Sequence, residues 1–323
     1  MPYKKETVTL QINLAPGDFP HAKYILPHQL EILYNQVDEI LLVLDTKASK
    51  GRFGEGWIEN KEKLEQFLIK EIQPKHNIKI VPVDYSKSTQ QKIASFFFGH
   101  KNIPEKDFRG GPFYAYFYGI YQASNALILH LDSDMLLGGG SSTWISEAIS
   151  LFKEKADLLI ASPLPGPPHL DETLIHQTIT SKVPGKYSFE IEGMSTRIFM
   201  LDKDKFIKSK LSLKKPSLKN QLKALIEGNS NADLPEHIIS RFMRNQKLKR
   251  IDFLGIFPGL WSLHPPFRTE EFYLNLPTLI NRIANNDLPS EQQGFYDIVD
   301  EVVDWSEARE KLKKNRWWTR LLK

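Results

Sequence analysis

The chain has 323 residues, no cysteine, 43 basic against 39 acidic residues and a net charge of +4. That length holds one large α/β domain, with or without a helical appendage, and the missing cysteines exclude disulfides and thiolate metal sites, as fits a cytosolic protein. The mild positive charge permits polyanionic partners without demanding them, and no nucleic-acid motif accompanies it.

The opening residues MPYKKETVTLQINLAP lack the apolar stretch of a secretion signal. No run reaches the ~20 apolar residues of a spanning helix, so the expected location is cytoplasmic. Thr7–Leu14 is β-branched and alternating, reads as a strand, and breaks at Ala15-Pro16-Gly17. Gln29–Leu33 belongs to a helical stretch, and Glu39–Leu44 is a short apolar run ending at Asp45. Lys61–Ile72 sets Leu64, Phe67, Leu68 and Ile72 on one helical face. Ile78–Val83 reads as a strand ending at Asp84, Phe113–Ser124 as an aromatic helix, and Ala126–Leu131 as an apolar strand ending at Asp132. Gly138–Gly140 reads as a flexible turn, since no Lys-Ser/Thr follows to make a phosphate-cradling loop. Ser141-Ser142-Thr143 then offers caps for a helix with Trp144, Ala148, Leu151 and Phe152 on one side.

Strands alternating with helices predict βαβ units and a mostly parallel sheet flanked by helices. Ligands of open α/β sheets bind beyond the carboxyl ends of the strands. Asp45, Asp84 and Asp132 each end a strand, which points to one polar site; the plainer reading makes Asp45 and Asp84 turn or cap residues. Further on, Asp157–Ala161 is a strand, Pro163–Pro168 a proline-rich loop, and Lys186–Leu201 strand material crossing the sheet antiparallel. Lys203–Lys223 carries eight lysines against the single acid Asp204. It reads as a solvated, mobile segment, or as a lid or a contact to an anionic acceptor. Residues 234–250 look helical and lead to a strand at Arg250–Phe257. The tail Glu307–Lys323 is amphipathic and basic; Trp317-Trp318 with Arg316, Arg320 and Lys323 could lie on the inner face of a membrane or pack on the body.

The chemistry concentrates at Arg109-Gly110-Gly111-Pro112, the aromatic helix, and the strand ending in Asp132-Ser133-Asp134. A strand that ends in Asp-x-Asp presents carboxylate oxygens at its tip, which suit hard divalent ions and, through them, phosphates. The run from Tyr114 to Asp134 resembles the core of the GT-A glycosyltransferases, close to family 2, over about residues 7–265. The resemblance implies a Rossmann-like domain over 1–265, with a nucleotide-binding half at 1–137 and an acceptor-binding half at 138–265, followed by a helical extension at 266–323.

It further implies a nucleotide diphosphate sugar donor, UDP- or GDP-linked, a hydroxyl acceptor that is a glycan, a lipid-linked or a small molecule, and Mn²⁺ or Mg²⁺. On that likeness Ala15 and Asp18 face the base and ribose, Asp45 bonds the base, and Arg109 meets the donor; the bland reading of Arg109 is a loop ion pair. Asp132 and Ser133 lie against the nucleotide sugar, Asp132 reaches the metal through water, Asp134 ligates it directly, and His264 completes its shell. Inverting members carry an acidic pair opening a helix, with an Arg downstream. Pro235-Glu236-His237 with Arg241 falls in that place, but with Glu-His where Glu-Asp is expected. Glu236 is the first choice of base, His237 the second and Asp233 the third. Two other readings remain open: a Mg²⁺-dependent phosphohydrolase, in which the first Asp of such a motif is the nucleophile, and a binding protein on a GT-A fold without catalysis.

Overall fold

The computed structural model describes residues 6–48, 54 and 56–314. Trp317-Trp318, Arg316, Arg320 and Lys323 lie outside the described residues. Eleven strands are described, in the order β3-β2-β1-β4-β9-β6-β10-β8-β7, with β11 joining β6 to β5.

The first half is the parallel unit expected from the sequence. β1 (Val8–Leu14) pairs in parallel with both β2 (Glu39–Leu44) and β4 (Leu127–Asp132), and β3 (Lys79–Pro82) adds to β2. The chain leaves β1 through α1 (Phe19–Leu33), moves outward through α2 (Trp57–Phe67) and α3 (Lys87–Phe98), and returns through α4 (Tyr114–Gln122) to β4 on the other side of β1. The strand order therefore reverses between β1 and β4, where ligands of open α/β sheets bind.

Val8, Leu10, Ile12 and Leu14 of β1 join Leu129 and Leu131 of β4 in one apolar cluster on the face covered by α1. The opposite face of these strands is polar. Gln11 Nε2 donates to Asn13 Oδ1 at 2.7 Å, Gln11 Oε1 lies 3.2 Å from His130 Nδ1, and His130 Nε2 lies 3.3 Å from Asp132 Oδ1. Gln11 and His130 are fully buried, so the sheet core under α4 carries a polar line ending at Asp132.

In the second half, α5 (Trp144–Glu154) leads to β6 (Leu158–Pro165), and β7 (Ile179–Val183) and β8 (Ser188–Ile191) form an antiparallel pair at the edge. β9 (Ile198–Asp202) runs antiparallel between β4 and β6, as the sequence predicts. α6 (Lys205–Lys208), α7 (Leu218–Glu227) and α8 (Pro235–Gln246) follow, then β10 (Lys249–Phe253), β5 (Leu136–Gly138) paired with β11 (Trp261–Leu263), and α9 (Glu270–Ala284) and α10 (Ser306–Lys314). Phe272 and Leu276 of α9 and Trp305 pack with Ile25 of α1 and Leu136 of β5 in a third cluster. No helix among the described residues is long and apolar enough to cross a membrane.

Four local expectations are corrected. The prolines at 163 and 165 sit inside β6, not in a loop; the N–H groups of Leu164 and Gly166 between and after them donate to Leu260 and Ser262, so the missing proline donors fall where no partner strand needs them. Gly138 and Gly139 serve close packing instead of flexibility. A Cβ on Gly138 would lie 2.1 Å from the Trp261 ring, and Gly139, at φ +88°, would meet the Gly259 carbonyl oxygen at 2.4 Å. The first part of the lysine-rich run is anchored, because Phe206 and Leu211 are buried while Lys205 and Lys210 donate to the carbonyls of Ala156 and Phe96 at helix ends. The strand after α8 ends at Phe253, short of the expected Phe257.

Gly138→Ala should cost about 1–3 kcal/mol by overpacking against the buried Trp261. Urea unfolding, with a lowered midpoint and an unchanged slope, reads this out.

Candidate active site

The turn between β4 and β5 is held from below by α1. Gln29 Nε2 donates to the carbonyls of Asp132 (2.9 Å) and Met135 (2.8 Å), and His28 Nε2 faces the Leu137 carbonyl at 2.8 Å. His21, one turn into α1, lies 3.1 Å from Ser133 Oγ through Nε2. Two buried polar side chains of α1, Gln29 and His28, thus hold the backbone of residues 132–137, and a third, His21, holds the Ser133 side chain. The β1–α1 turn closes on itself as well: Asp18 N–H donates to the Ala15 carbonyl, and Asp18 Oδ2 accepts from Ala15 N–H, both at 2.8 Å.

Asp134 is 3% exposed, and its carboxylate is paired by a residue that the sequence did not single out. Arg268, between β11 and α9, donates from Nε (3.0 Å) and Nη2 (2.6 Å) to Asp134 Oδ2, and from Nη1 (3.1 Å) to Asp18 Oδ1. Burial by itself would raise the Asp134 carboxyl; Arg268, with His264 and His21, overrides it and holds the group below the usual carboxylate range. Asp134 Oδ1 is buried and has no hydrogen-bond partner.

His264 Nε2 lies 3.9 Å from Asp134 Oδ2, while its Nδ1 is 2.7 Å from Asp297 Oδ1. With Nδ1 facing Asp297, Nε2 is the ring nitrogen on the Asp134 side. Asp132 differs from Asp134: its side chain is 36% exposed and is met by His130. The structure therefore brings Asp18, Ser133, Asp134 and His264 together around Arg268, with Asp132 beside them. Among the described residues no group of three His, Cys, Asp or Glu side chains is arranged to hold a metal ion.

Asp45 follows β2, the next strand beyond β1. Its carboxylate accepts from Tyr85 Oη and Lys106 Nζ, each at 2.7 Å, and from Lys47 N–H at 3.0 Å. Asp84 is taken up at the start of α3, where it accepts from the N–H of the cap residue Ser86 and from the hydroxyls of Ser86 and Thr89, so the three strand-end acids do not converge on one site. Arg109 is exposed with its guanidinium 5.3 Å from the Phe108 ring, at the small cluster that Phe108 forms with Ala224 and Leu234. That cluster seats the start of α8. There Asp233 Oδ1 is 2.8 Å from His237 Nδ1, Asp233 Oδ2 is 3.6 Å from Arg241, and Glu236 Oε1 is 3.9 Å from His237 Nε2. The Tyr116 hydroxyl is buried without a hydrogen-bond partner; burial raises its pKa, and the charges of Asp132 and of Glu236 raise it further.

A cavity of about 330 Å³ adjoins the site, lined among others by Ser195, Arg197, Arg250, Asp252, Tyr296 and Asp297. Arg250 and Asp252 neutralise each other in a buried two-pronged pair. Burial lowers the Arg197 pKa, but Tyr296, Asp134, Asp132 and Asp297 outweigh it, so this guanidinium stands charged near the Tyr296 ring, in the field of both strand-tip carboxylates.

Neither the protein-family models nor the curated proteins contain a match to the chain. Among solved structures, the chain is similar to a UDP-glucose pyrophosphorylase complexed with UDP-glucose, at 11% identity and a TM-score of 0.45, over 86% of this chain and 99% of that one. It is similar to S. aureus TarS 1–349 in complex with UDP-GlcNAc, at 11% identity and a TM-score of 0.39, over 97% of this chain and 77% of that one. It is also similar to the glucosyl-3-phosphoglycerate synthase of Mycobacterium tuberculosis with Mn²⁺ and UDP, at 10% identity and a TM-score of 0.27, over 49% and 43%. The likeness is one of general α/β arrangement.

Arg268→Ala should cost about 2 kcal/mol in chemical unfolding, because Asp134 would lose its countercharge; the loss falls short of the ~3–5 kcal/mol of a fully buried pair since Arg268 is 38% exposed. His21 supplies a pH dependence. Burial, followed by the Arg268 charge, lowers its pKa to about 4 from 6.5, against the pull of Asp18 and Asp134. The folded state therefore binds this proton more weakly than the unfolded chain does. His21 favours folding fully above pH 6.5, and that contribution, ~3 kcal/mol, is lost as the pH falls toward 4. Unfolding free energies from pH 7 to pH 4 should show this slope, and His21→Asn should flatten it.

Proposed function

We propose that the chain is a metal-assisted glycosyltransferase that moves a sugar from a UDP- or GDP-linked donor to an acceptor hydroxyl with inversion. The observation that carries this reading is Asp134: an ionised, buried carboxylate at the sheet's reversal point, with one oxygen unpartnered. A divalent ion such as Mn²⁺ or Mg²⁺ would take Asp134 through Oδ1, His264 through the nitrogen opposite its Asp297 bond, and Asp132 through water; since these side chains do not by themselves form a metal shell, the donor diphosphate would have to supply the remaining oxygens. When bound, it would neutralise the charge that develops on the departing diphosphate.

The chain's own groups do the rest. The Ala15–Asp18 turn and Ser133 face the nucleotide, and Asp45 offers its remaining acceptor capacity to the base. Arg109, exposed at the rim, meets the donor phosphates. Arg197 and Arg268 flank the carboxylates with positive charge. The acceptor hydroxyl enters from the cavity beside Asp297, and Glu236 takes its proton as the oxygen bonds to the anomeric carbon and the bond to the diphosphate oxygen breaks. Glu236, the carboxylate in the first turn of α8 with Arg241 downstream, is the first choice of base; His237, whose Nδ1 faces Asp233 and whose Nε2 is left for a substrate, is the second. We place the protein in the cytoplasm.

The test is thermal stability with UDP, GDP and their common sugars, each with and without Mn²⁺. Ligand at 100 times its Kd should add ~2.7 kcal/mol, a rise of several degrees. The rise should need Mn²⁺ and vanish in Asp134→Ala. A nucleotide shift indifferent to Mn²⁺ removes the metal, and no shift with any nucleotide removes the reading. Once a donor is found, Glu236→Gln should keep the shift and lower kcat ~10²- to 10⁴-fold with little change in donor KM. Unchanged turnover in that variant moves the base to His237.

A further inference from the structure

α7 is an amphipathic helix turned outward. Its sequence, LKNQLKALIE, places Leu218, Leu222, Leu225 and Ile226 at positions i, i+4, i+7 and i+8, one helical face. In a globular domain that stripe faces the core. Here the four side chains are 83%, 51%, 77% and 45% exposed, while the inward contact is Ala224, packed on Phe108 and Leu234. Four adjoining large aliphatic side chains in water are an interaction surface in search of a cover.

The charge around the stripe says what the cover is. Lys214, Lys215 and Lys219 are exposed beside it, Lys223 follows one turn on, and no acidic residue occurs between Asp204 and Glu227. A second copy of the chain would bring the same lysines face to face with these, so like charges oppose a symmetric pairing through α7. A surface that is apolar within and anionic outside satisfies both halves of the pattern. We propose that α7 docks the protein on an anionic phospholipid bilayer, with the stripe sunk to the acyl boundary and the lysines on the headgroups.

The consequence for the site is geometric. Gly228–Leu234 leads directly from α7 into α8, and the Phe108–Ala224–Leu234 cluster ties α7 both to the loop of Arg109 and to the helix start of Asp233 and Glu236. Docking would bring that helix start to the membrane surface, where an acceptor held in lipid could present its hydroxyl. The docking itself does not depend on the glycosyltransferase reading.

The experiment is co-sedimentation of the full chain with equimolar phosphatidylglycerol–phosphatidylcholine vesicles and with phosphatidylcholine vesicles, for the wild type, L222E/L225E and K214E/K215E/K219E. The wild type should pellet with the anionic vesicles and far less with the neutral ones. Each variant should lose at least ~10-fold in partitioning, with unchanged circular dichroism and melting temperature, because the altered side chains are in water. A wild type that stays in the supernatant overturns the proposal, as do variants that pellet like the wild type, which would assign binding to another surface such as residues 315–323. Light scattering supplies the remaining arm: a wild-type dimer that L222E/L225E dissolves would show that a second copy covers the stripe, and would also overturn it.

Discussion

A carboxylate taken out of water has to be met by positive charge, or it takes up a proton. Asp134 is buried at the tip of the fourth strand, and Arg268 meets it while reaching across to Asp18. Much of the local architecture answers to that requirement. The β1–α1 turn folds back so that Asp18 shares the guanidinium, the chain after β11 comes within reach of β4, and His264 is turned by Asp297 so that its other nitrogen lies on the Asp134 side. The oxygen that Arg268 leaves unpaired is the feature a divalent ion would complete.

Rigidity beneath this cluster comes from α1 and from the polar line in the sheet. Gln29 and His28 hold the backbone of the strand-tip turn from one side and His21 the Ser133 side chain, and Gln11 with His130 reaches Asp132 from the other. Buried polar networks fix one geometry to the extent that their members are bonded, and here His21 Nδ1 and Gln29 Oε1 are buried without a hydrogen-bond partner. The two acids of the motif are thereby given different surroundings: Asp134 dry and ion-paired, Asp132 half in water. Their division of labour in the proposed chemistry, direct against water-mediated contact with a metal, follows that difference.

The parallel half of the fold was legible in the sequence because its strands are continuous apolar runs, and a run such as Glu39–Leu44 has few other ways to be buried. The antiparallel course of β9 was legible too. The two prolines of β6 were read as a loop because proline lacks a donor, and only the partner strand reveals that the donors not required fall at those positions. The lysines of 203–210 looked solvated because composition does not show which carbonyls lie nearby. At the candidate site, Asp18 and His264 entered only through the family resemblance, while the Asp-x-Asp tip could be found as a local pattern. Arg268 could not: it is separated from Asp134 by 134 residues and from Asp18 by 250, and nothing in Pro265-Pro266-Phe267-Arg268 distinguishes it from a surface arginine. Asp84 misled for the opposite reason, since a strand-end acid and a helix cap look alike until the neighbouring strands are placed.

The reach of Arg268 across the chain also bears on biosynthesis. As the polypeptide leaves the ribosome, the unit from β1 to β4 is complete long before residue 268 emerges, and domains tend to condense as their segments appear. Until then Asp134 lacks the guanidinium that hydrogen-bonds it, and the strand tip has either to stay hydrated or to hold its proton. Closure of the site is therefore among the last events of folding, and a nascent chain stopped short of α9 would present the motif without the charge that stabilises it.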